Sequence, residues 1–136
     1  MIIVAGTFDL FHIGHVNLLK RASNFGDVLA FVNTDRFVEE FKHRKPVVNQ
    51  EDRRAVVKTC KYVTDVQFND NADLKETLKY IDNITGIVFG DDYDIEKYRK
   101  QTQITREWQA LKGIALIQLP RTDGVSSTDI RSNLHT

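Results

Sequence analysis

The chain has 136 residues, 41% hydrophobic and 28% charged, the mix of one globular domain over 1–136 and not of a disordered or fibrous chain. Lys plus Arg and Asp plus Glu both number 19, so net charge gives no general attraction to nucleic acid or an anionic membrane. The single cysteine, Cys60, excludes an internal disulfide, no apolar run reaches the roughly 20 residues of a membrane helix, and the opening MIIVAGTFD lacks a basic n-region, so a cytoplasmic location is expected.

In chain order, five apolar runs read as strands: Ile2–Ala5, Val28–Asn33, Asp65–Phe68, Gly86–Phe89 and Ile114–Leu119. They lack polar alternation and are rich in β-branched residues, the mark of strands buried on both faces of a parallel sheet. Between them lie helical patterns. Val16–Phe25 carries an apolar stripe and ends before Gly26; a short helix fits Asp35–Phe41. Residues 50–61 follow Asn49 as N-cap, with Glu51 and Asp52 in the first turn. Residues 73–82 place Leu74, Leu78 and Ile81 on one face, and 94–112 does the same with Ile104, Trp108 and Leu111 before Gly113. A final helix fits Thr128–Leu134. Alternating strands and helices build right-handed βαβ units, so the expected fold is α/β: a Rossmann-like, doubly wound, five-stranded parallel sheet with helices on both faces.

Such sheets bind ligands beyond the carboxyl ends of their strands. Polar segments occur there. Strand one is followed by Gly6-Thr7-Phe8-Asp9 and then His12-Ile13-Gly14-His15 entering a helix. Strand four is followed by Gly90-Asp91-Asp92, and strand five by Arg121-Thr122-Asp123-Gly124-Val125-Ser126-Ser127-Thr128. Two histidines at a helix start, with Gly14 admitting a ligand to the backbone, make an anion site suited to the charge of phosphoryl transfer. Arg121 with three hydroxyls at a helix start, Ser126, Ser127 and Thr128, suits a triphosphate tail. A basic stretch, Lys42, Arg44, Lys45, Arg53, Arg54, Lys58 and Lys61, offers more phosphate contacts, although Arg54 and Lys58 read as a solvated face. The bland alternatives are a helix-capping histidine beside a surface one, a Ser/Thr cap with a solvated arginine, and an acid pair that only forms a turn.

The pair GTFDxxHxGH and RTxGxSST resembles the cytidylyltransferase family of the HxGH nucleotidyltransferases, nearest its glycerol-3-phosphate branch, over Gly6 to Ile130. The resemblance implies CMP transfer from CTP to a small phosphate monoester, with Mg²⁺, pyrophosphate release and a homodimer, and with no nucleic-acid partner or membrane insertion. It implies His12, His15, Arg121 and Lys42 as catalytic residues. It assigns the nucleotide to Gly6, Thr7, Phe8, Asp9, Gly14, Lys45, Arg53, Gly90, Asp91, Asp92, Thr122, Ser126, Ser127 and Thr128. It assigns the acceptor to Lys42, Lys75 and Lys61, and names no metal ligand. Lys61 stands where the family often has arginine, and Tyr93 to Lys112 is longer than in the glycerol-phosphate enzymes. The rival readings are an adenylyltransferase using ATP, suggested by Ser126-Ser127-Thr128-x-Ile130-Arg131, and a non-catalytic nucleotide-binding module.

Overall fold

The structure, a computed structural model, describes residues 1–92 and 94–120. Its elements run β1 (Ile2–Gly6), α1 (Ile13–Ala22), β2 (Val28–Asn33), α2 (Asp35–Lys42), α3 (Gln50–Lys58), β3 (Asp65–Asn69), α4 (Leu74–Leu78), β4 (Gly86–Gly90), α5 (Ile95–Thr102), α6 (Arg106–Lys112) and β5 (Ala115–Leu119). The five strands form one sheet of order β3-β2-β1-β4-β5, every pairing parallel.

Strand periodicity of two splits the core into two layers. Ile2, Val4, Val28, Ala30, Val32 and Val88 join Leu19 and Ala22 of α1 and Val57 of α3. Ile3, Leu29, Phe31, Ile87 and Phe89 join Leu74 and Leu78 of α4, Tyr98 of α5 and Ile104. Helices therefore cover both faces, as the unalternated strands require. Each fully buried aliphatic side chain contributes about 1.5–3 kcal/mol.

The stretch 94–112 departs from the sequence expectation. It is two helices, because Gln103 takes a left-handed conformation (φ 62°) and ends α5. Thr105 then starts α6 by accepting the Trp108 N–H, and Ile104 between them is buried in the second core layer. Leu111 consequently points outward, 82% exposed. α1 starts earlier than expected, at Ile13, and ends at Ala22 in a 3₁₀ turn, Ser23–Phe25. The segment assigned to a last helix, Thr128–Leu134, lies outside the described residues.

The sheet winds outward in both directions from β1, so the switch point falls between β1 and β4. There the ladder is short. β1 pairs with β2 over five positions and β4 with β5 over five, but β1 and β4 pair only at Ile2↔Gly86 and Ile3↔Ile87. From Val4 to Gly6 and from Val88 to Gly90 the two inner strands run on without laddering to each other. This leaves an open seam at the carboxyl edge.

The break at Gln103 has a test. Gln103→Gly removes left-handed strain of about 1 kcal/mol, so thermal unfolding should shift upward. In a continuous helix the same change would destabilise by about 0.5–1 kcal/mol.

Candidate active site

The loop after β1 is bent hard. Phe8 (φ 54°) and Leu10 (φ 51°) are both left-handed, at a typical strain of 1–3 kcal/mol each, on the order expected where a site is held in shape. Three features hold the bend. The Phe8 ring is 5% exposed and lies against His15 and Phe11, with ring centroids 5.6 and 6.4 Å away. Its ring comes so near the Gly6 backbone that a Cβ there would sit 3.3 Å from it, which accounts for that glycine. Asp9, only 2% exposed, accepts the N–H groups of Val47 and Val48 at 2.8 and 3.0 Å. The Phe8 ring and Asp9 carboxylate, expected on the nucleotide, thus face the protein and shape the loop.

The bend delivers His12 to the N-cap of α1. Its Nδ1 accepts the Gly14 N–H at 3.0 Å, while the His15 Nδ1 accepts the His12 N–H at 3.1 Å, a capping box built from two imidazoles. The rings stack with centroids 3.9 Å apart, and Phe11 stacks on the far side of His15 at 5.3 Å. Because each Nδ1 is an acceptor, each neutral ring carries its proton on Nε2. Capping and anion binding are therefore compatible: the cap occupies Nδ1, and the ring proton that can serve a phosphate is on Nε2. Burial, reinforced by the neighbouring His12 and partly opposed by Asp9, holds the His15 pKa down to about 4. The ring is thus a neutral donor at physiological pH.

Arg53 is placed differently from expectation. Its guanidinium is 1% exposed and donates to the carbonyls of Val48 (2.8 Å), Thr7 (2.7 Å) and Asn33 (2.7 Å) and to the Asp35 carboxylate (2.6 Å). Instead of reaching a nucleotide, it ties the ends of β1 and β2 to the loop between α2 and α3. Burying a guanidinium is unfavourable unless it is paired and hydrogen-bonded, and these four bonds meet that condition. Asp9 and Arg53 together fasten the segment that carries Lys42 and Lys45 to the histidine loop.

Lys42, the last residue of α2, donates to Thr7 Oγ1 at 3.1 Å, and Lys45 is exposed on the loop beyond. Thr7 Oγ1 also accepts from Asn33 Nδ2 (3.2 Å), and Asn33 Oδ1 accepts from Asn69 Nδ2 (3.0 Å). Thr77 in turn donates to Asn69 Oδ1. This chain floors a cleft of about 110 Å³ at the carboxyl ends of β1, β2 and β3. The cleft is lined by Gly6, Asn33, Lys42, Asn69, Asn71 and Tyr98, among others. No carboxylate is among its described lining residues. Asn33 and Asn69, which end apolar strands, were not among the sequence candidates, although a buried amide closing such a strand is the same signal that marked the other loops.

Lys75 stands beside this cleft but is engaged: its Nζ donates to Asp73 Oδ1 at 3.0 Å and to the Gln103 carbonyl, linking α4 to the α5–α6 junction. Lys61 is a correction. It precedes β3, where the parallel sheet places the amino edge, and lies over the Tyr62 ring at 5.2 Å. That is the end of the sheet opposite the cleft. Gly90 ends β4 on the other side of the seam, with Asp91 and Asp92 exposed after it. Arg121, Thr122, Ser126, Ser127 and Thr128 lie outside the described residues. A larger, mostly apolar cleft of about 350 Å³, lined by Phe8, Leu10, Phe11, Val48, Arg53 and Val56, backs the same loop. Among the described residues no group of three or more His, Cys, Asp or Glu could hold a metal ion, and no helix is long and apolar enough to cross a membrane.

The His15 environment fixes a pH dependence. The unfolded chain takes up this proton near 6.5 and the folded chain only near 4, so the stabilisation is full above about 6.5 and is lost as pH falls toward 4. Denaturant unfolding should lose about 2 kcal/mol of stability from this residue between pH 7 and 5. A His15→Gln variant should lack that component of the slope; an unchanged slope would contradict the buried neutral ring.

Residues 3–133 match the family described as cytidylyltransferase-like. The chain is 32% identical over 136 residues to the glycerol-3-phosphate cytidylyltransferase of Bacillus subtilis (strain 168), covering 98% of this chain and 95% of that one. It is 32% identical over 131 residues to the ethanolamine-phosphate cytidylyltransferase of Dictyostelium discoideum, covering 93% of this chain and 34% of that one. A crystal structure of the lipopolysaccharide core biosynthesis protein from Thermoplasma volcanium GSS1 shares the fold, with a TM-score of 0.74 at 18% identity over 90% of this chain and 97% of that one. With its histidine pair at the switch point of a β3-β2-β1-β4-β5 sheet, the chain belongs to the cytidylyltransferase-like family of nucleotidyltransferases.

Proposed function

We propose that the protein transfers CMP from CTP to a small phosphate monoester of the glycerol 3-phosphate kind and releases pyrophosphate. The observation that carries this reading is an adjacency through Thr7. The histidine turn that can hold a triphosphate and the lysine-bearing cleft, which has no carboxylate among its described lining residues, share one loop. Both reacting groups are anions, so the chemistry needs positioning and charge cancellation more than it needs a nucleophilic side chain.

In this reading the triphosphate lies at the start of α1, over the seam between β1 and β4. An acceptor phosphate oxygen attacks the α-phosphorus of CTP. The new P–O bond forms as the bond to the β-phosphate oxygen breaks, and pyrophosphate leaves in line. No proton has to move, because the attacking oxygen is already anionic. His12 and His15 donate Nε2–H to the phosphoryl oxygens as charge develops, Lys42 holds the acceptor phosphate, and Lys45 approaches the nucleotide from the exposed loop. Arg121, Thr122, Ser126, Ser127 and Thr128 complete the grip on the nucleotide by the family resemblance. Asp91 and Asp92, exposed after β4, would be the carboxylates that hold a Mg²⁺, and its charge would offset that of the phosphates.

The lining of the cleft favours a neutral organic group on the acceptor. An ammonium group, as in ethanolamine phosphate, would find no carboxylate there among the described residues, and a charge desolvated without a partner is unfavourable. Hydroxyls, by contrast, match amides and a phenol.

Pyrophosphate release should therefore be fastest with CTP and glycerol 3-phosphate, and slower with ethanolamine phosphate or with ATP. His15→Ala should lower kcat by about two to three orders of magnitude while leaving the circular dichroism spectrum unchanged. Faster release with ATP would select the adenylyl reading. Turnover within a few fold of wild type in His15→Ala would remove the assigned role.

A further inference from the structure

We infer that the Tyr98 hydroxyl reads the organic part of the acceptor, by hydrogen bonding to a hydroxyl on its carbon chain. The inference rests on the acceptor reading of the 110 Å³ cleft and adds to it a residue from α5, the segment for which the sequence suggested no role.

Three observations converge on Tyr98. It lines the cleft together with Gln101 and Thr102 of the same helix. The residue is only 6% exposed, yet its phenol oxygen has no hydrogen-bond partner among the described residues. Its ring is fixed, stacked on Phe89 with centroids 4.0 Å apart and planes 7° from parallel. The neighbouring polar groups do not answer the phenol: Thr102 Oγ1 donates to the Tyr98 carbonyl (2.7 Å), and Asn69 is held by Asn33 and Thr77.

A buried hydroxyl without a partner is unfavourable, and phenylalanine would keep the stack on Phe89 without that burden. Tyrosine at this position therefore makes physical sense when something else supplies the bond. Among its described lining residues the cleft has one cation, Lys42, for a phosphate, and the others are neutral. The complement of that pattern is a short phosphate monoester with at least one hydroxyl on its carbon chain. Burial also pushes the Tyr98 pKa upward, so the group remains a protonated donor across the working pH range.

The test perturbs both sides of the bond. Wild type and Tyr98→Phe are assayed for pyrophosphate release at saturating CTP, with glycerol 3-phosphate and with n-propyl phosphate, which lacks both hydroxyls. The variant should raise the KM for glycerol 3-phosphate about five- to tenfold, the size of one neutral hydrogen bond. Its KM for n-propyl phosphate and for CTP should stay within twofold of wild type, and its Tm should be unchanged or higher. A KM raised equally for both acceptors, or a Tm lowered by several degrees, would overturn the inference while leaving the proposed reaction standing. Wild-type protein that releases no pyrophosphate with CTP and either ester would overturn the proposed reaction and the inference with it.

Discussion

The parting of β1 from β4 after Ile3 and Ile87 is the constraint on which the rest of the molecule depends. A parallel sheet normally satisfies its inner strands on both edges. Here the two central strands are laddered outward to their ends, to β2 and to β5, but inward over two positions only. The carboxyl ends thereby form a gap at the switch point, where α1 also begins. Backbone N–H groups at a helix start favour anions, and the two imidazoles add donors at the same place. The geometry that can hold a triphosphate is thus a property of the sheet first and of the side chains second.

Keeping that gap in shape falls to groups bound within the protein itself. Two left-handed residues in the loop after β1 store strain, and the Asp9 carboxylate and Phe8 burial hold it. Arg53 links the ends of β1 and β2 to the lysine-bearing loop from beneath. A polar chain then runs from Lys42 through Thr7, Asn33 and Asn69 to Thr77, each member hydrogen-bonded to the next. Satisfied buried networks of this kind are rigid, and rigidity is what a reaction governed by positioning requires.

Most of the architecture was legible in the residues. Unalternated β-branched strands called for a sheet covered on both faces, and the core divides by strand period into two such layers. Asn49 capped its helix as its position suggested. The single helix over 94–112 failed because Ile104 and Trp108 keep helical spacing across a real break. The break is made by Gln103, a residue with no turn signature, and its only signals were Asp94 and Thr105, both of which cap helices. At the site, the histidine turn was legible because two imidazoles and a glycine at a helix start have few other uses. The placement of Arg53 was not legible, because a motif position does not reveal which way a guanidinium points. The position of Lys61 follows from topology: in a parallel sheet, a residue just before a strand lies at the amino edge. Asn33 and Asn69 were overlooked because each reads as the end of a strand, and it is the topology that brings them together.

The central claim is that His15 is neutral at physiological pH and that His12 and His15, each accepting a backbone N–H at Nδ1, face a nucleotide triphosphate with Nε2–H. Long-range ¹⁵N–¹H spectra of the imidazoles, recorded at pH 7 during titration with CTP and Mg²⁺, test it most directly. The account predicts Nε2–H tautomers for both rings in the free protein, and a downfield shift of both Nε2 protons that saturates with CTP. Nδ1–H tautomers, or ring signals that stay fixed at saturating CTP, would contradict it.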